Sequence, residues 1–277
     1  MNKITVENIK KYQKFLKNEE KSDKTIEKYI RDVTAFYTYI KEKEFTKEDV
    51  IEYKRRLISK YKLTSVNSIL SSLNSFFEFN GWQNEKVKSI KIQKQLYITE
   101  EQNLTKKEYF KLLEIAKKQK QEQLYLILMT LASTGIRISE LIYITVETVE
   151  NKEVNILNKG KCRKIFLPNK LCEQLAKYIN QRKIKNGSIF ITKKGKPLDR
   201  SNIWVSMKKL CSKTGINPDK VYPHNLRHLF ARTYYEQERD VVRLADILGH
   251  SSINTTRIYT IENGEKHREQ IQKLGLI

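Results

Sequence analysis

The sequence predicts a mainly α-helical protein of two domains: a small helical domain at the N-terminus, and a larger, mostly helical domain with a small antiparallel β-sheet. Apolar residues recur at helical spacing through most of the chain, whereas strand-like alternation is confined to one stretch in the second half. A lysine- and glutamine-rich stretch with no amphipathic period separates the two parts. We therefore expect a first domain over residues 1–86, a linker over 87–103 and a second domain over 104–277.

Four short helices are expected in the first domain. Apolar residues fall at helical spacing in the first two, and Ser22 or the aspartate after it is the expected N-cap of the second. Thr46 opens a segment that resembles a capping box, which predicts the start of a third helix. The fourth apolar segment, residues 64–79, is followed by Asn80 and Gly81, a typical helix end.

The second domain is expected to begin with a helix capped by Thr105. A strongly apolar helix over residues 124–131 follows, and it should stop before Gly135. After Pro223 the helical spacing returns and continues toward the C-terminus.

A β-hairpin is expected between these helical parts. Residues 153–157 and 163–167 alternate like strands, and the turn between them is the segment 158–161. Residues 188–192 are predicted to add a third strand. This region is the one part of the chain in which we expect β-structure.

The composition points to a polyanionic partner. The formal net charge is +22 and the sequence pI is near 9.7, which favours nucleic acid, although ribosomal and membrane-surface proteins share such an excess. Cys162, Cys172 and Cys211 form no CxxC pair, so we expect free thiols and neither a zinc site nor a disulfide framework. Charged residues near the N-terminus, such as Lys3 and Glu7, interrupt any apolar segment that a signal peptide would need, and no apolar run is long enough to span a bilayer. We therefore expect a cytoplasmic protein with no membrane partner.

Six side chains in the second domain are suited to cleaving a phosphodiester without a metal. Arginine stays charged and matches two phosphate oxygens at once, histidine and lysine can move protons, and a tyrosine hydroxyl can attack phosphorus. Each residue type is common by itself, so the prediction of a catalytic site depends on the combination. The candidates are Arg137, Lys159, His224, Arg227, His250 and Tyr259.

Each candidate also has an ordinary structural explanation. Arg137 lies between two isoleucines at the start of an expected helix, and a buried pair with Glu140 would account for it; the same pair could also aim the arginine at a phosphate. Tyr259 could pack its ring, as most of the 15 tyrosines do. In the hairpin turn, Lys161 competes with Lys159 for the role of the reactive lysine, and either could be surface charge.

Local sequence signals place the two histidines differently. His224 and Arg227 are three residues apart in a segment ready to form a helix, which puts them on one helical face. His250 follows Gly249, an expected helix end, and precedes Ser252 or the serine before it, an expected N-cap. His250 should therefore be held at a turn.

The order of these residues resembles the catalytic pattern of the tyrosine recombinase (phage integrase) family. The segment Leu248–Tyr259, LGHSSINTTRIY, is especially similar to the family signature. The resemblance covers residues 104–277 by motif and the first domain by architecture. In size the chain is similar to the Xer recombinases and to the core-only integrases of mobile elements. The resemblance implies an N-terminal core-DNA-binding domain and a C-terminal catalytic domain.

The resemblance also implies a reaction that needs no metal or other cofactor. Tyr259 would attack the scissile phosphate and form a 3′-phosphotyrosine. The two arginines would neutralise the phosphate, with a further hydrogen bond from His250. His224 would accept the phenol proton, and Lys159 would protonate the leaving 5′ oxygen.

The implied substrate is double-stranded DNA with an inverted-repeat core site. Strand exchange would pass through a Holliday junction within a homotetramer, or an assembly with a related recombinase. The amphipathic tail, residues 262–277, would dock into a neighbouring protomer in trans; packing on its own protomer is the alternative. Two other functions stay open: a type IB topoisomerase-like enzyme that relaxes DNA, and a non-catalytic DNA-binding protein of the same fold.

One turn departs from the family pattern. The family often has a glycine before the helix that leads to LGH, whereas this chain has Glu238-Arg239-Asp240. If the turn needs a positive φ, Arg239 or Asp240 must adopt it, and the aspartate is the easier case.

Overall fold

The computed structural model describes residues 2–41, 43–92, 103–158, 161–192, 194–250, 252–259 and 272–275, apart from the side chains of Asn158 and Lys161. The chain divides into two compact units, Met1–Lys94 and Gln95–Ile277. Both units are mostly helical, and the second contains an antiparallel hairpin, which confirms the predicted fold class.

The first unit contains the four helices that the sequence predicts. They are Val6–Asn18 (α1), Asp23–Tyr39 (α2), Lys47–Lys60 (α3) and Leu63–Phe79 (α4). Ser22 caps α2, and the backbone N–H of Thr46 donates to Asp49 Oδ2 at 2.7 Å in the predicted capping box before α3. The inward faces of the helices form a core rich in aromatic rings, including Phe36, Phe76 and Phe77.

A short antiparallel pair in the first unit was not predicted. Asn2–Lys3 (β1) pairs with Glu44–Phe45 (β2). The prediction that β-structure is confined to the second domain was therefore wrong. A two-residue strand is too short to show alternation, and its partner is distant in sequence, so no local pattern announces it.

Packing of the first unit continues past residue 86, the predicted domain end. Val87 is buried in the core, and its backbone N–H donates to Asn74 Oδ1 at 3.0 Å. The backbone N–H of Ile90 donates to Asn67 Oδ1 at 2.8 Å. These contacts hold the start of the predicted linker against α4. Residues 93–102 lie outside the described part of the chain, so the limits of the linker stay a prediction.

Eight helices occupy the described part of the second unit. They are Lys106–Lys118 (α5), Glu122–Thr134 (α6), Val146–Glu150 (α7), Asn169–Arg182 (α8), Arg200–Cys211 (α9), Pro223–Glu238 (α10), Val241–Leu248 (α11) and Ile253–Thr256 (α12). Thr105 caps α5 and Gly135 ends α6, as predicted. The buried helix α6 packs against α10. Within the described ranges, no helix combines the length and apolar character that crossing a bilayer requires.

The predicted hairpin is present and slightly longer than expected. Glu153–Asn158 (β3) pairs with Lys161–Phe166 (β4) from Glu153 opposite Phe166 to Asn158 opposite Lys161. The predicted third strand over residues 188–192 was wrong: the segment makes isolated bridges, Thr145 with Ser188 and Ile191 with Pro197. The proline cannot donate a backbone hydrogen bond, so this pairing is not extended into a strand.

The turn between α10 and α11 requires the positive φ that the sequence suggested. Arg239 adopts it, with φ 53. Asp240 instead takes an extended backbone and caps α11, where its side chain accepts from the Arg243 N–H at 2.9 Å. The need for a helix cap thus decides which residue takes the left-handed conformation.

Candidate active site

A tight turn at the end of α6 positions Arg137. Gly135 has φ 64, and a Cβ added there would lie 2.8 Å from Phe230 Cε1, so glycine is required for both conformation and space. Arg137 caps a 3₁₀ helix, Ile138–Tyr143. Its backbone N–H donates to Glu140 Oε2 at 2.7 Å, and its guanidinium donates to Glu140 Oε1 at 3.0 Å. The predicted pair with Glu140 is therefore present.

A second arginine, Arg163 on β4, shares the same carboxylate. Glu140 is 2% exposed, and its Oε2 also accepts from Arg163 Nη2 at 2.6 Å. The other end of this guanidinium, Nη1, donates to the backbone carbonyl of Leu248. Arg163 was not among the residues predicted from the sequence. The available signal was strand alternation, which puts this arginine on the same face as the buried Ile165.

Arg227 is the most deeply buried of the arginines at this site. It is 1% exposed and lies in the first half of α10. Its Nη1 donates to the Gly135 carbonyl at 2.6 Å, and its Nη2 donates to the Leu248 carbonyl at 2.6 Å. The Leu248 carbonyl thus accepts from both Arg163 and Arg227, which joins the ends of α6 and α11 to the hairpin.

Positive charge exceeds negative charge at this site. Among the described residues, the carboxylate in contact with this group of arginines is Glu140. Burial, and next the charges of Arg137 and Arg163, lower the pKa of Arg227 to about 10. Burial also lowers the pKa of Arg163, while Glu140 opposes the change. Arg227 is nevertheless charged at neutral pH, so the site is suited to receive an anion such as a phosphodiester.

His250 lies at the turn that the sequence predicts. It follows Gly249, the left-handed C-cap of α11, and Ser252 caps the next helix. Its Nε2 is 3.0 Å from Arg227 Nη2, and its Nδ1 is 2.8 Å from Thr256 Oγ1. A guanidinium has no acceptor, so Nε2 accepts and the ring proton is on Nδ1. Burial and the charge of Arg227 lower the pKa of His250 to about 4, in keeping with a neutral ring.

Tyr259 is buried beside His250. It is 4% exposed and ends a 3₁₀ turn, Arg257–Tyr259. Its ring stacks on the His250 ring, with centroids 6.2 Å apart. Burial raises the pKa of the Tyr259 phenol, while the charge of Arg227 and a hydrogen bond from it act in the opposite direction. The arginine is therefore placed to stabilise the phenolate that a nucleophile needs.

Two histidines on α10 lead from the surface toward Tyr259. The exposed His224 meets His228 edge to face at 4.4 Å, and His228 meets the Tyr259 ring edge to face at 4.9 Å. Burial, and next His224, lower the pKa of His228 to about 3, and its Nε2 is buried with no hydrogen-bond partner among the described residues. Burial lowers the pKa of His224 as well. His228 was also missed, although its spacing of four from His224 was a usable signal.

The structure brings five of the six candidates into one region of the second unit. The sixth, Lys159, lies outside the described residues. Of its competitor Lys161 the structure describes the backbone, which pairs with Asn158 at the end of the hairpin. The choice between the two lysines stays open. Within the described ranges, no cluster of three His, Cys, Asp or Glu side chains is arranged as metal ligands.

Comparison with known proteins connects both units to one family. Residues 102–266 match the phage integrase family, and residues 9–84 match the phage integrase N-terminal SAM-like domain. The tyrosine recombinase XerA of Pyrococcus horikoshii is 30% identical over 281 residues, which cover 97% of this chain and 94% of that protein.

Solved structures of DNA complexes share the fold. The XerH site-specific recombinase bound to its difH substrate superposes with a TM-score of 0.71 at 23% identity, covering 91% of this chain and 80% of that one. A lambda integrase tetramer bound to a Holliday junction gives a TM-score of 0.75 at 19% identity, covering 93% and 78%. The chain therefore belongs to the phage integrase family, the family of the tyrosine recombinases, as its sequence motifs predicted.

Proposed function

We propose that this chain cuts and rejoins DNA at a specific site through a covalent 3′-phosphotyrosine formed by Tyr259. The observation that carries the proposal is the arrangement around Arg227, which contacts His250 and whose charge and hydrogen bond oppose the rise that burial causes in the pKa of the neighbouring Tyr259. Attack by the phenolate on the scissile phosphate would release a 5′-hydroxyl. The phosphotyrosine conserves the energy of the broken bond, so rejoining needs no nucleotide.

The arginines would bind the non-bridging oxygens of the scissile phosphate as negative charge develops on them. Arg137 and Arg227 are the groups proposed for this role. His250 would donate a further hydrogen bond. In the DNA-free protein its Nε2 accepts from Arg227, so phosphate binding must displace that contact and place a proton on Nε2.

Two proton transfers complete the proposed reaction. His224, whose pKa burial holds below its ordinary value, would be neutral at pH 7 and would accept the phenol proton. Lys159, or Lys161 in its place, would protonate the 5′ oxygen as it leaves. The reverse transfers would accompany attack by a 5′-hydroxyl from the partner duplex.

The proposed substrate is double-stranded DNA with an inverted-repeat core site. A net charge of +22 supports strong phosphate contacts. Strand exchange between two duplexes would take place in a homotetramer through a Holliday junction, with the C-terminal tail of each protomer docked on its neighbour. The proposed place of action is the cytoplasm, as expected from the sequence.

Covalent capture on DNA tests this function. The protein is incubated with fragmented genomic DNA of its source organism, quenched in denaturant, and the protein-linked DNA is sequenced. We expect the wild type to enrich a short inverted-repeat site and Tyr259→Phe to enrich nothing. Tyr235→Phe, which alters another ring of the same apolar cluster, is the matched control and should behave like the wild type.

The same experiment separates the rival functions. Adducts spread over unrelated fragments would indicate a topoisomerase-like enzyme in place of a recombinase. Equal capture by the wild type and Tyr259→Phe would show that another residue is the nucleophile. The absence of any adduct from the wild type would contradict the proposed chemistry and favour a DNA-binding protein.

A further inference from the structure

Arg163 is outside the six proposed reaction residues, yet it joins two of the segments that carry them. Its Nη2 donates to Glu140, the residue that also binds Arg137, and its Nη1 donates to the carbonyl of Leu248, two residues before His250. The side chain is 12% exposed. Both Nη atoms are thus engaged within the protein, and Arg163 is poorly placed to bind DNA itself.

The turn before His250 is fitted around this guanidinium. A Cβ added to Gly249 would lie 2.8 Å from Arg163 Cδ and 3.1 Å from Cζ, so the absence of a side chain at Gly249 lets the arginine pass. The contact of Arg163 with Leu248 and Gly249 fixes both the distance of this turn from β4 and its orientation. Because His250 is the next residue, its ring position depends on the same contact.

Stability alone is a weak reason for such a residue. The Nε of Arg163 is buried with no hydrogen-bond partner among the described residues, and a buried polar group in that state is costly. Burial of Arg163 itself lowers the pKa of its guanidinium, and the charge of Arg137 acts in the same direction, while Glu140 opposes both effects. A packed apolar side chain would avoid these costs, so the arginine has another use.

We propose that Arg163 is a positioning residue for the scissile phosphate. It ties the Arg137–Glu140 turn to the Leu248–His250 turn, so that Arg137 and His250 meet the same phosphate. The inference rests on the proposed function, because it assumes that these two groups act on a phosphate. It assigns to Arg163 no contact with DNA and no proton transfer.

The charge on the substrate separates positioning from a general structural role. The arginines and His250 are needed because the non-bridging oxygens of a phosphodiester carry negative charge. A methylphosphonate at the scissile position replaces one of these oxygens by a methyl group and removes that charge. Loss of phosphate positioning therefore has less effect on the methylphosphonate, whereas partial unfolding affects both substrates equally.

The experiment measures single-turnover formation of the protein–DNA adduct on the captured site, with a phosphodiester or a methylphosphonate at the scissile position. We expect Arg163→Met to slow cleavage of the phosphodiester by roughly 100-fold and that of the methylphosphonate by less than about 10-fold. Arg163→Lys keeps the charge but cannot span both partners, so we expect the same pattern. Lys164→Met, on the opposite face of β4, is the control and should stay within about 2-fold of the wild type.

Equal losses on both substrates, or no loss with either variant, would overturn the inference. A wild type that forms no adduct would instead refute the proposed function. In that case the effect of Arg163 on the position of His250 is measured in the absence of DNA. The Nδ1 proton of His250 that bonds to Thr256 should be visible by NMR as a slowly exchanging proton in the wild type and in Lys164→Met. Its persistence in folded Arg163→Met and Arg163→Lys would also overturn the inference.

Discussion

Arg227 shows how one side chain can serve both structure and chemistry. Its guanidinium satisfies the carbonyls that end α6 and α11, and it also touches His250. Removing it would leave the buried Gly135 carbonyl without this donor, which costs roughly 1–3 kcal/mol, while the Leu248 carbonyl would keep its bond from Arg163. Loss of activity in an Arg227 variant would therefore mix a chemical effect with a structural one. For this reason the proposed function is tested at Tyr259.

His228 gives a residue-level prediction about pH. Its pKa is lowered from the ordinary 6.5 to about 3, mainly by burial. In the unfolded chain the His228 ring therefore binds a proton near pH 6.5, whereas in the native protein this ring stays neutral until about pH 3. The stabilisation is fully present above pH 6.5 and is lost as the pH falls toward 3. On acidification from pH 7 to 4.5, the wild type should lose on the order of 2 kcal/mol more stability than His228→Gln.

Urea unfolding at several pH values between 4.5 and 7 measures this difference. His224→Gln is the matched control on the same helix. Its ring is exposed and its pKa is lowered less, so its pH dependence should stay closer to that of the wild type. Parallel curves of unfolding free energy against pH for the wild type and His228→Gln would contradict the prediction.

At the level of elements, the helices and their caps were predictable because their signals are local. Ser22, Thr46 and Thr105 cap helices where the sequence places them, and Gly135 ends α6. The side chains of Ser22 and Thr105 accept from backbone N–H groups three residues on, and the backbone N–H of Thr46 donates to Asp49, so neighbouring residues decide the outcome. The hairpin was predictable for a similar reason, since its two strands are adjacent in the chain.

Elements that depend on distant partners were not predictable. The β1–β2 pair and the bridge of Ser188 to Thr145 join segments that are far apart in sequence. The same holds at the site. The sequence predicted the pair of Arg137 with Glu140, which are three residues apart, but did not predict that Arg163 on β4 shares this carboxylate.

The turn that ends α6 carries an element-level prediction. Gly135→Ala would place a methyl group against the Phe230 ring at φ 64, whereas Gly187, at φ 73, has open space around its Cα. We expect Gly187→Ala to cost about 1 kcal/mol of unfolding free energy from backbone strain alone. Gly135→Ala should cost about 2–4 kcal/mol because overpacking adds to that strain.

Chemical denaturation of both variants measures these costs. Gly135→Ala should also reduce adduct formation, because the carbonyl of Gly135 holds Arg227. Equal destabilisation by the two substitutions would show that the Phe230 ring moves aside freely and that the turn does not constrain the site.

At the level of the whole molecule, the site is a chain of contacts between parts that the sequence keeps apart. It runs from Arg137 through Glu140 to Arg163, then through the Leu248 carbonyl to Arg227 and His250. The sequence motifs predicted most of the residues in this series of contacts, whereas the fold determines which of them touch one another. A net charge of +22 adds long-range attraction for DNA to these short-range contacts.

The C-terminal tail carries a prediction about assembly. Its sequence places Ile271, Leu274, Leu276 and Ile277 in a short amphipathic segment. Most of this segment lies outside the described residues, but Leu274 is described and is 63% exposed. An exposed leucine in such a segment gains free energy by packing on another surface, which in the proposed tetramer belongs to the neighbouring protomer.

Deleting residues 266–277, or introducing Leu274→Glu, should therefore lower the tetramer fraction on DNA and reduce recombination by roughly 10-fold or more, because the buried apolar area is lost. Val242→Glu, at another exposed apolar position of the second unit, is the control and should leave both unchanged. Assembly is measured by native mass spectrometry on the captured site, and recombination by the yield of exchanged duplexes.

Since docking in trans acts between protomers, single-turnover adduct formation should fall less than recombination. Unchanged recombination after the deletion would contradict docking in trans, and equal loss of adduct and of recombination would favour a tail that packs on its own protomer.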